Sequence, residues 1–344
     1  MKNLKISVMV TGVGSASVGN QILKVLNNSK SRYRIISTDI VKESTGFKIS
    51  DKSYVVPKSS KKNYLNEILK ICKKEKIKCV LPGSESELLV LSKKRSFFKD
   101  QGIIVVSNPH KIVKLCLDKG KLFDFLKSKN VKVPNFQVVR NINEFKKCKI
   151  PAIVKPVKGS GSKSVFLAET IDEVKFFIKY LTSRGHEIIV QEYIGSGDEE
   201  FTVGVIRLQN GKIKTSIALK RDLRRALSCK EDLKSKNSNK RFQISTGISQ
   251  GWFDDFKNIR IECEKIADIL EADGPINIQC RKTKDGIVPF EINPRFSGTT
   301  YLRSMVGFNE PDMIMKYYLY NKIPLQTKIP KRYISRDLVE EVLS

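Results

Sequence analysis

The stretch FEINPRFSG, residues 290–298, carries the most specific pattern in this chain. Alternate side chains of an extended segment point to the same face, so Glu291, Asn293 and Arg295 line one wall there. Carboxylate and amide oxygens are ligands that suit Mg²⁺, and a guanidinium is suited to stabilising transferred phosphate or a developing oxyanion. We therefore predict that Glu291 and Asn293 bind metal and that Arg295 is catalytic. The alternative interpretation, a ladder of salt bridges on the surface, would require neither the amide of Asn293 nor the apolar Ile292.

The strand that precedes this stretch adds a third oxygen ligand. Gln279 lies in an apolar run at residues 276–280, and a turn at residues 284–286 joins that run to a strand at residues 288–292. Neighbouring strands of a hairpin place facing side chains next to each other. Gln279 is therefore predicted to be the third metal ligand.

A loop rich in glycine, serine and lysine follows a predicted strand at residues 152–156. Glycines let backbone amides come close to an anion, and serines add hydroxyl donors. We predict that Lys155 binds the α- and β-phosphates of a nucleotide and acts in catalysis, while the loop folds over the β- and γ-phosphates. An ordinary flexible hairpin tip is the alternative interpretation. The phosphate-binding candidates are Lys155, Lys158, Gly159, Ser160, Gly161 and Ser162.

An apolar strand at residues 188–191 leads into Glu192, Tyr193 and Ile194. Beside a phosphate-binding loop, this strand end suits a nucleoside slot, because backbone groups of Glu192 and Ile194 can pair with the adenine edge. Glu199 is predicted to accept hydrogen bonds from the ribose hydroxyls. Without that neighbouring loop, the same residues would be read as an ordinary strand end.

The turn TGVGSASVG, residues 11–19, leaves a predicted strand and opens a predicted helix, and Asp39 follows at the distance of a dinucleotide fingerprint. Such turns hold a pyrophosphate on bare backbone amides, so NAD(P) binding is one interpretation, although Ser17 occupies the third glycine position. Two others stay open. The amides near Gly14 and Ser15 hold a substrate carboxylate, or they only make a tight turn.

The segment LPGSESE, residues 81–87, follows another predicted strand. Ser84 and Glu87 have the spacing of a capping box, which indicates the start of a helix. Glu85 is in addition a candidate for holding a substrate amine.

Strands and helices alternate through the first hundred residues, and this order predicts a parallel, doubly wound sheet. The second half contains strands joined by turns, as in antiparallel sheets. The predicted fold class is therefore α/β, with a Rossmann-like N-terminal lobe followed by a two-lobed α+β fold. The strand-like runs of the first lobe lie at residues 5–11, 34–38 and 78–81.

The formal net charge is +28, from 64 basic and 36 acidic residues. Such a field attracts polyanions, but the lysines are spread along the whole chain without a basic block interleaved with aromatic residues. Nucleic acid is therefore not the expected partner. Seven scattered cysteines without a C-x-x-C pair disfavour disulfides and zinc. Only His110 and His186 offer imidazole groups for catalysis.

The chain contains no run of about 18 apolar residues, so a membrane helix is not expected. Residues 1–10 lack the apolar region of a signal peptide. A cytoplasmic location without a membrane partner is the expectation.

Together these motifs resemble the ATP-grasp superfamily, most closely the carboxylate-amine ligases and synthetase domains related to the large subunit of carbamoyl phosphate synthase. The resemblance covers nearly the whole chain and rests above all on residues 291–298. It implies that the first lobe is a pre-ATP-grasp domain that does not usually bind NAD, and that Lys119 is a basic nucleotide-binding residue. The implied organisation is residues 1–108 for the pre-ATP-grasp domain, 109–190 for a small lobe with the glycine loop, 191–330 for a C-terminal lobe with the metal site, and 331–344 for a loosely held tail.

Two departures from the resemblance concern the substrates. Neither a glutaminase portion nor a second synthetase half is present in these 344 residues, which disfavours carbamoyl phosphate synthesis itself. The segment at residues 220–246 is unusually basic and lies where such enzymes often build substrate contacts. Within it, residues 221–241 are polar, basic and poor in apolar periodicity, which predicts a mobile excursion or lid. The predicted substrate contacts are Lys220, Arg221, Ser297 and Gly298, besides Gly14, Ser15 and Glu85.

We therefore predict a ligase in which ATP with Mg²⁺, or with Mn²⁺ as the alternative metal, phosphorylates a small-molecule carboxylate. An amine then attacks the acyl phosphate to form a C–N bond, and ADP and phosphate leave. Ligases of this superfamily are often dimers, so a homodimer is the implied assembly. The alternatives are an NAD(P)-dependent oxidoreductase that uses the N-terminal turn and a non-enzymatic nucleic-acid binder.

Overall fold

The computed structural model describes residues 5–29, 33–159, 161, 164–234, 241–339 and 342. Its N-terminal lobe contains a five-stranded sheet with the order β3-β2-β1-β4-β5, and every pairing in this sheet is parallel. The strands are β1 (Ile6–Thr11), β2 (Tyr33–Asp39), β3 (Lys52–Val55), β4 (Cys79–Leu81) and β5 (Ile104–Val105), and the helices are α1 (Val18–Asn27), α2 (Tyr64–Lys74), α3 (Glu85–Lys93) and α4 (Arg95–Asp100).

Strand β1 is buried on both faces of this sheet. Val8 and Val10 pack in the same cluster as Ile22 of α1, whereas Met9 packs with Ile68 of α2. Successive side chains of a strand point to opposite faces, so helices must cover both sides of a strand that is apolar throughout. The predicted doubly wound N-terminal lobe is confirmed.

Antiparallel sheets form the rest of the chain, which confirms the predicted α+β region. A small-lobe sheet has the order β6-β9-β7-β8, a larger sheet has the order β16-β15-β10-β11-β14-β17, and β12 with β13 forms a separate ribbon. The helices are α5 (His110–Cys116), α6 (Lys119–Ser128), α7 (Ile171–Thr182), α8 (Lys257–Ile269), α9 (Thr300–Met305) and α10 (Glu310–Tyr320). The strands are β6 (Phe136–Val139), β7 (Ala152–Pro156), β8 (Phe166–Ala168), β9 (Ile188–Glu192), β10 (Glu200–Leu208), β11 (Ile213–Arg221), β12 (Cys229–Lys234), β13 (Arg241–Ser245), β14 (Gly251–Phe253), β15 (Gly274–Thr283), β16 (Gly286–Asn293) and β17 (Arg332–Ile334).

The remaining helical segments are short. Turns of 3-10 helix lie at Thr45–Ile49, Ile142–Glu144, Gly197–Glu199 and Gln209–Gly211. Among the helices that the structure describes, none has both the length and the apolar surface needed to cross a bilayer.

The prediction of a mobile excursion at residues 221–241 is wrong where the structure describes that segment. Strand β12 pairs with β13, and Leu233 and Phe242 pack against a small cluster that contains Ile153 and Leu167. Alternate residues of β12 are half-buried and exposed. Charged side chains at most positions of β12 hide this period of two from an analysis based on apolar residues alone.

The tail is also more ordered than predicted. Strand β17 pairs with β14 and becomes an edge strand of the six-stranded sheet. The rings of Tyr333 and Trp252 meet edge to face with centroids 5.2 Å apart. A three-residue strand of mixed composition has too little periodicity to be predicted, and its partner strand supplies the order.

A buried ion pair ties α9 and α10 to the large sheet. The Arg303 Nη1 atom donates to both carboxylate oxygens of Glu310, at 2.9 and 3.1 Å, and its Nη2 atom donates to Asn277 Oδ1 of β15 at 2.6 Å. Both charged side chains are only 1% exposed. Gly204 of β10 makes room for them, because a Cβ atom there would lie 2.1 Å from Arg303 Nη1.

We expect the substitution Glu310→Ala to lower the free energy of unfolding by about 3–5 kcal/mol, because it leaves a guanidinium buried without a counter-charge. Glu271→Ala is the matched control, since Glu271 pairs with Lys111 where both side chains are 68% exposed, and we expect a much smaller loss because exposed ion pairs contribute little to stability. Urea unfolding followed by circular dichroism measures both. Equal losses for the two variants would contradict this assignment.

Candidate active site

A cavity lies between the small-lobe sheet, the ribbon β12–β13 and the large sheet. One end is polar and is formed where α6, β7, β15 and β16 meet. The other is lined by the end of β9 and by the ribbon. The residues that line it are Lys119, Ile153, Lys155, Pro156, Gly159, Val165, Gln191, Glu192, Tyr193, Ile194, Glu200, Gln243, Ile244, Ser245, Gln279, Arg281, Phe290 and Glu291.

Two buried lysines define the polar end. Lys119 begins α6 directly after Asp118, whose side chain caps the helix, and its Nζ atom donates to the Gly159 carbonyl at 2.8 Å. Lys155 lies on β7 and is 5% exposed, with Nζ 3.5 Å from the Phe290 carbonyl. Burial and the charge of Lys119 lower the pKa of Lys155 to about 7.

The predicted metal ligands come together on the paired strands β15 and β16. Gln279 faces Glu291 in the strand register, and both line the cavity with Lys155. Asn293, two residues further on, is buried and donates from Nδ2 to Glu291 Oε1 at 3.1 Å. Burial acts to raise the pKa of Glu291, but the charges of Lys119 and Lys155 and the Asn293 hydrogen bond outweigh it and hold that pKa below its usual value.

Arg295 connects this wall to the N-terminal lobe. Its Nη2 atom donates to Glu85 Oε1 of α3 at 2.7 Å and to Asn293 Oδ1 at 3.3 Å. Glu85, predicted to hold a substrate amine, is thus the counter-ion of Arg295. The carboxylates of Glu85 and Glu291 and the side chains of Asn293 and Arg295 form one connected polar chain.

The predicted adenine slot lies at the end of β9. The Glu192 N–H group donates to the Asn135 carbonyl, and the Ile194 carbonyl accepts from Arg281 Nη1. These two groups are therefore engaged, whereas the Ile194 N–H group donates to none of the described residues. The Tyr193 ring packs under the Arg281 guanidinium at 4.3 Å.

Gln191 offers the clearest unsatisfied group in the cavity wall. The residue is 4% exposed, and its Oε1 atom is buried without a hydrogen-bond partner among the described residues. Leaving such an acceptor unpaired costs free energy. A ligand that brings an N–H donor into this part of the cavity would remove that cost.

The predicted ribose and substrate contacts on β10 and β11 are occupied by ion pairs. Lys220 Nζ lies 2.6 Å from Glu199 Oε1, so each satisfies the other. Arg221 is 3% exposed, donates to Glu200 Oε1 at 3.0 Å, and also donates to the Thr246 and Ile248 carbonyls. This burial corrects the prediction for Arg221, because its contacts are those of a structural residue.

Part of the cavity wall escaped the sequence analysis. Gln243, Ile244 and Ser245 of β13 line the cavity, as do Arg281 and Phe290. Arg281 follows Gln279 by two residues on the same strand, a spacing that places side chains on one face. That spacing is the signal that could have identified it.

The other predicted substrate contacts surround the cleft between the lobes. In the N-terminal turn, Gly14 lies next to Asp39, and the Ser15 hydroxyl donates to Thr45 at 3.3 Å. On the opposite side, Ser297 is buried, and Gly298 lies against the Gly247 carbonyl.

The glycine loop is described only in part. Lys158 and Gly159 are exposed and line a second groove beside α3 and α5. Gly161 approaches Gly247. Ser160 and Ser162 lie outside the described residues.

Known families match three consecutive parts of the chain. Residues 8–106 match the PylC-like N-terminal domain, residues 116–222 match the RimK-like ATP-grasp domain, and residues 241–336 match the ATP-grasp domain found in the biosynthetic pathway with the Ter operon. The two ATP-grasp matches together cover more than half of the chain.

Two curated relatives share part of the sequence. A D-alanine–D-alanine ligase of Thermotoga petrophila is 32% identical over 97 residues, which are 28% of this chain and 31% of that protein. A carbamoyl phosphate synthase large chain of Thermoanaerobacter sp. is 23% identical over 316 residues, 86% of this chain and 27% of that protein. The chain thus spans less than a third of the length of either relative.

Solved structures share the fold over nearly the whole chain. An L-amino acid ligase from Bacillus licheniformis has a TM-score of 0.69 at 14% identity, covering 94% of this chain and 75% of that one. An N5-carboxyaminoimidazole ribonucleotide synthetase from Thermotoga maritima has a TM-score of 0.61 at 16% identity, and the match covers 94% of this chain and 78% of that one. The chain is a member of the ATP-grasp superfamily, with a PylC-like N-terminal domain preceding its ATP-grasp fold.

Proposed function

We propose that this protein is an ADP-forming ligase that uses Mg²⁺ and ATP to phosphorylate a small carboxylate and then couples the acyl phosphate to an amine. The observation that carries the proposal is the convergence of Lys119, Lys155, Gln279 and Glu291 at one end of a single cavity. ATP-dependent joining of an acid to an amine brings several anions together, so most of the catalysis must come from positioning and charge neutralisation.

The cavity fits a nucleoside triphosphate in its chemistry. At one end the unpaired Gln191 Oε1 atom would accept a hydrogen bond from the exocyclic amine of adenine. Ile153, Ile244 and Phe290 supply apolar surface for the base. At the other end the Lys155 ammonium has no carboxylate within ion-pair distance among the described residues, which suits a phosphate chain.

The donor set also fits a hard divalent cation. Gln279, Glu291 and Asn293 would hold Mg²⁺ through oxygen atoms, the ligands that this ion prefers. When bound, the ion would neutralise charge between the phosphates. Glu291 is held ionised by two neighbouring lysines, and Asn293 fixes the position of its carboxylate.

The remaining residues of the site orient the reacting groups. Lys119 and Lys155 would hold the phosphates, and Arg295 would face the carboxylate as its oxygen attacks the γ-phosphorus atom and ADP departs. The amine then attacks the acyl carbon, and phosphate leaves. The described glycines of the loop, Gly159 and Gly161, lie next to Lys119 and Gly247, a position from which the loop would cover the phosphates and exclude water.

The oxidoreductase alternative finds no support in the N-terminal turn. Asp39, the residue expected to bind a ribose, accepts from the Ile40 N–H group at 2.7 Å and from the Ser44 hydroxyl at 3.2 Å. Glu87 approaches the turn so closely that a Cβ atom on Gly12 would lie 2.5 Å from Glu87 Oε2. The two other interpretations of this turn stay open, namely a substrate carboxylate on the amides near Gly14 and Ser15 or a tight turn alone.

A screen of carboxylate and amine pairs for Mg²⁺-dependent ADP release tests the proposal. On a pair that supports turnover, we expect Glu291→Ala and the isosteric Glu291→Gln to lower kcat by about 100-fold or more, because the site loses its only acidic metal ligand. Glu271→Ala, an exposed carboxylate elsewhere, serves as the control. Full turnover by the Glu291 variants would remove the metal assignment.

The role of Gln191 in base recognition is separable from catalysis. We expect Gln191→Leu to raise the KM for ATP by about 3- to 10-fold with little change in kcat, the effect of losing one neutral hydrogen bond. Steady-state kinetics with varied ATP measure it, and the exposed Gln101→Leu is the control. An unchanged KM in the Gln191 variant would show that the base does not reach this atom.

The low pKa of Lys155 predicts a pH dependence of nucleotide binding. In the free protein this amine is charged below its pKa of about 7 and loses its proton as the pH rises above it. Phosphates favour the charged form of this amine. Binding of metal-free ADP should therefore be accompanied by uptake of a proton by Lys155 at about pH 8.5 but not at about pH 6. Calorimetry in two buffers with different heats of ionisation measures this uptake. Lys155→Arg stays charged and should abolish it; the same uptake in both proteins would assign the proton to another group.

A further inference from the structure

Arg336 follows β17 and is half-buried, and its contacts differ from those of the buried arginines Arg221, Arg281 and Arg303. Its Nε atom donates to the Ser249 carbonyl at 3.0 Å, and its Nη2 atom donates to Gln21 Oε1 at 3.2 Å and to the Gly298 carbonyl. All three acceptors are neutral. The Nη1 atom has no hydrogen-bond partner in the part of the chain that the structure describes.

The charge of Arg336 is not neutralised by any carboxylate of the described residues. Arg221 and Arg281 both pair with Glu200, and Arg303 pairs with Glu310. Arg336 has no such pair, and the charge of Arg221, which has the same sign, acts on it. Partial burial and Arg221 together lower the pKa of Arg336 to about 10. A half-buried guanidinium without a counter-charge is suited to binding an anion.

The position of Arg336 is on the substrate side of the active site. It contacts Gly298, which lies against the Gly247 carbonyl, and Gly247 in turn lies against Gly161 of the glycine loop. Gln21, its other contact, lies on α1, the helix that the N-terminal turn opens. The guanidinium thus sits where the N-terminal lobe meets the loop after Arg295, and outside the nucleotide cavity.

We propose that Arg336 binds an anionic group of the substrate, a carboxylate or a phosphate, other than the carboxylate that is activated. The inference rests on the proposed function, in which Lys119, Lys155 and Arg295 already serve the phosphates and the activated carboxylate. The planar guanidinium matches carboxylate and phosphate oxygens. Its three neutral contacts hold the group in orientation, and Nη1 is the nitrogen left for the ligand.

Thermal shift measurements with simple anions test this subsite. The nucleotide site is first filled with the magnesium complex of a non-hydrolysable ATP analogue, so that the probe cannot occupy the phosphate positions. Succinate and inorganic phosphate are then titrated in separate arms into the wild type, Arg336→Gln, Arg336→Lys and the control Arg332→Gln. Arg332 is exposed on β17, so its substitution changes the net charge equally.

We expect at least one probe to raise the melting temperature of the wild type and of Arg332→Gln, because a ligand that binds only the folded state stabilises it. In Arg336→Gln the apparent affinity should fall by about tenfold or more, the effect of losing charge-assisted hydrogen bonds. Arg336→Lys keeps the charge and should retain part of the response. The arm that responds identifies the ligand as a carboxylate or a phosphate.

Two outcomes would overturn the inference: equal responses in the wild type and Arg336→Gln, or no response of the wild type to either probe. If Arg336→Gln does not fold, a response of Arg336→Lys equal to that of the wild type would also overturn it. Failure of the proposed function gives a different pattern. In that case the ATP analogue itself does not raise the melting temperature of the wild type, or no pair of acid and amine causes release of ADP. The Arg336-dependent rise in melting temperature with the probe persists.

Discussion

The carboxylate of Glu200 is shared by two buried guanidinium groups, those of Arg221 and Arg281, and the cavity wall depends on this arrangement. Glu200 is 1% exposed, accepts from Arg221 at 3.0 Å and from Arg281 at 2.9 and 3.1 Å, and so joins β10, β11 and β15. An ion pair this deep stabilises a fold only when its remaining donors are satisfied. Here Arg221 Nη2 and Arg281 also donate to backbone carbonyls around the active site, whereas Arg221 Nε has no hydrogen-bond partner among the described residues.

Those further contacts hold the end of β9, the ribbon and residues 246–248 in position. Arg281 donates to the carbonyls of Ile194 and Gln243, which joins the end of β9 to the ribbon. Arg221 donates to the carbonyls of residues 246 and 248, on the segment that carries Gly247 to the glycine loop. One carboxylate therefore helps to determine where the end of β9, the ribbon and residues 246–248 lie relative to each other.

Most of the fold could be predicted from local patterns. Apolar strand-like runs that alternate with apolar residues at helical spacing predicted the parallel N-terminal lobe. The strand predicted at residues 152–156 coincides with β7. Alternation along residues 291–295 placed Glu291, Asn293 and Arg295 in one connected polar chain. These successes share a cause, since each depends on a period of two or on spacing within a single element.

The failures involve partners that are distant in sequence. Strand β12 of the ribbon consists mostly of charged residues, and the order of the ribbon comes from packing on β7 and β8. Arg221 has the composition of a substrate contact, and only its pairing with Glu200 shows that it is structural. Glu85 and Arg295 are 210 residues apart, so no local pattern could join them. Tertiary contacts of this kind require the three-dimensional structure.

The link between Glu85 and Arg295 has a consequence for how the two halves of the molecule behave. The guanidinium of Arg295 can bind an anion, and in this structure its charge is balanced by Glu85 of the N-terminal lobe. An anion that binds Arg295 through Nη2 would compete with Glu85 for that nitrogen atom. Anion binding at Arg295 and the ion pair between the two lobes would then be opposing equilibria, so such an anion would loosen the contact between the lobes by the free energy of that competition.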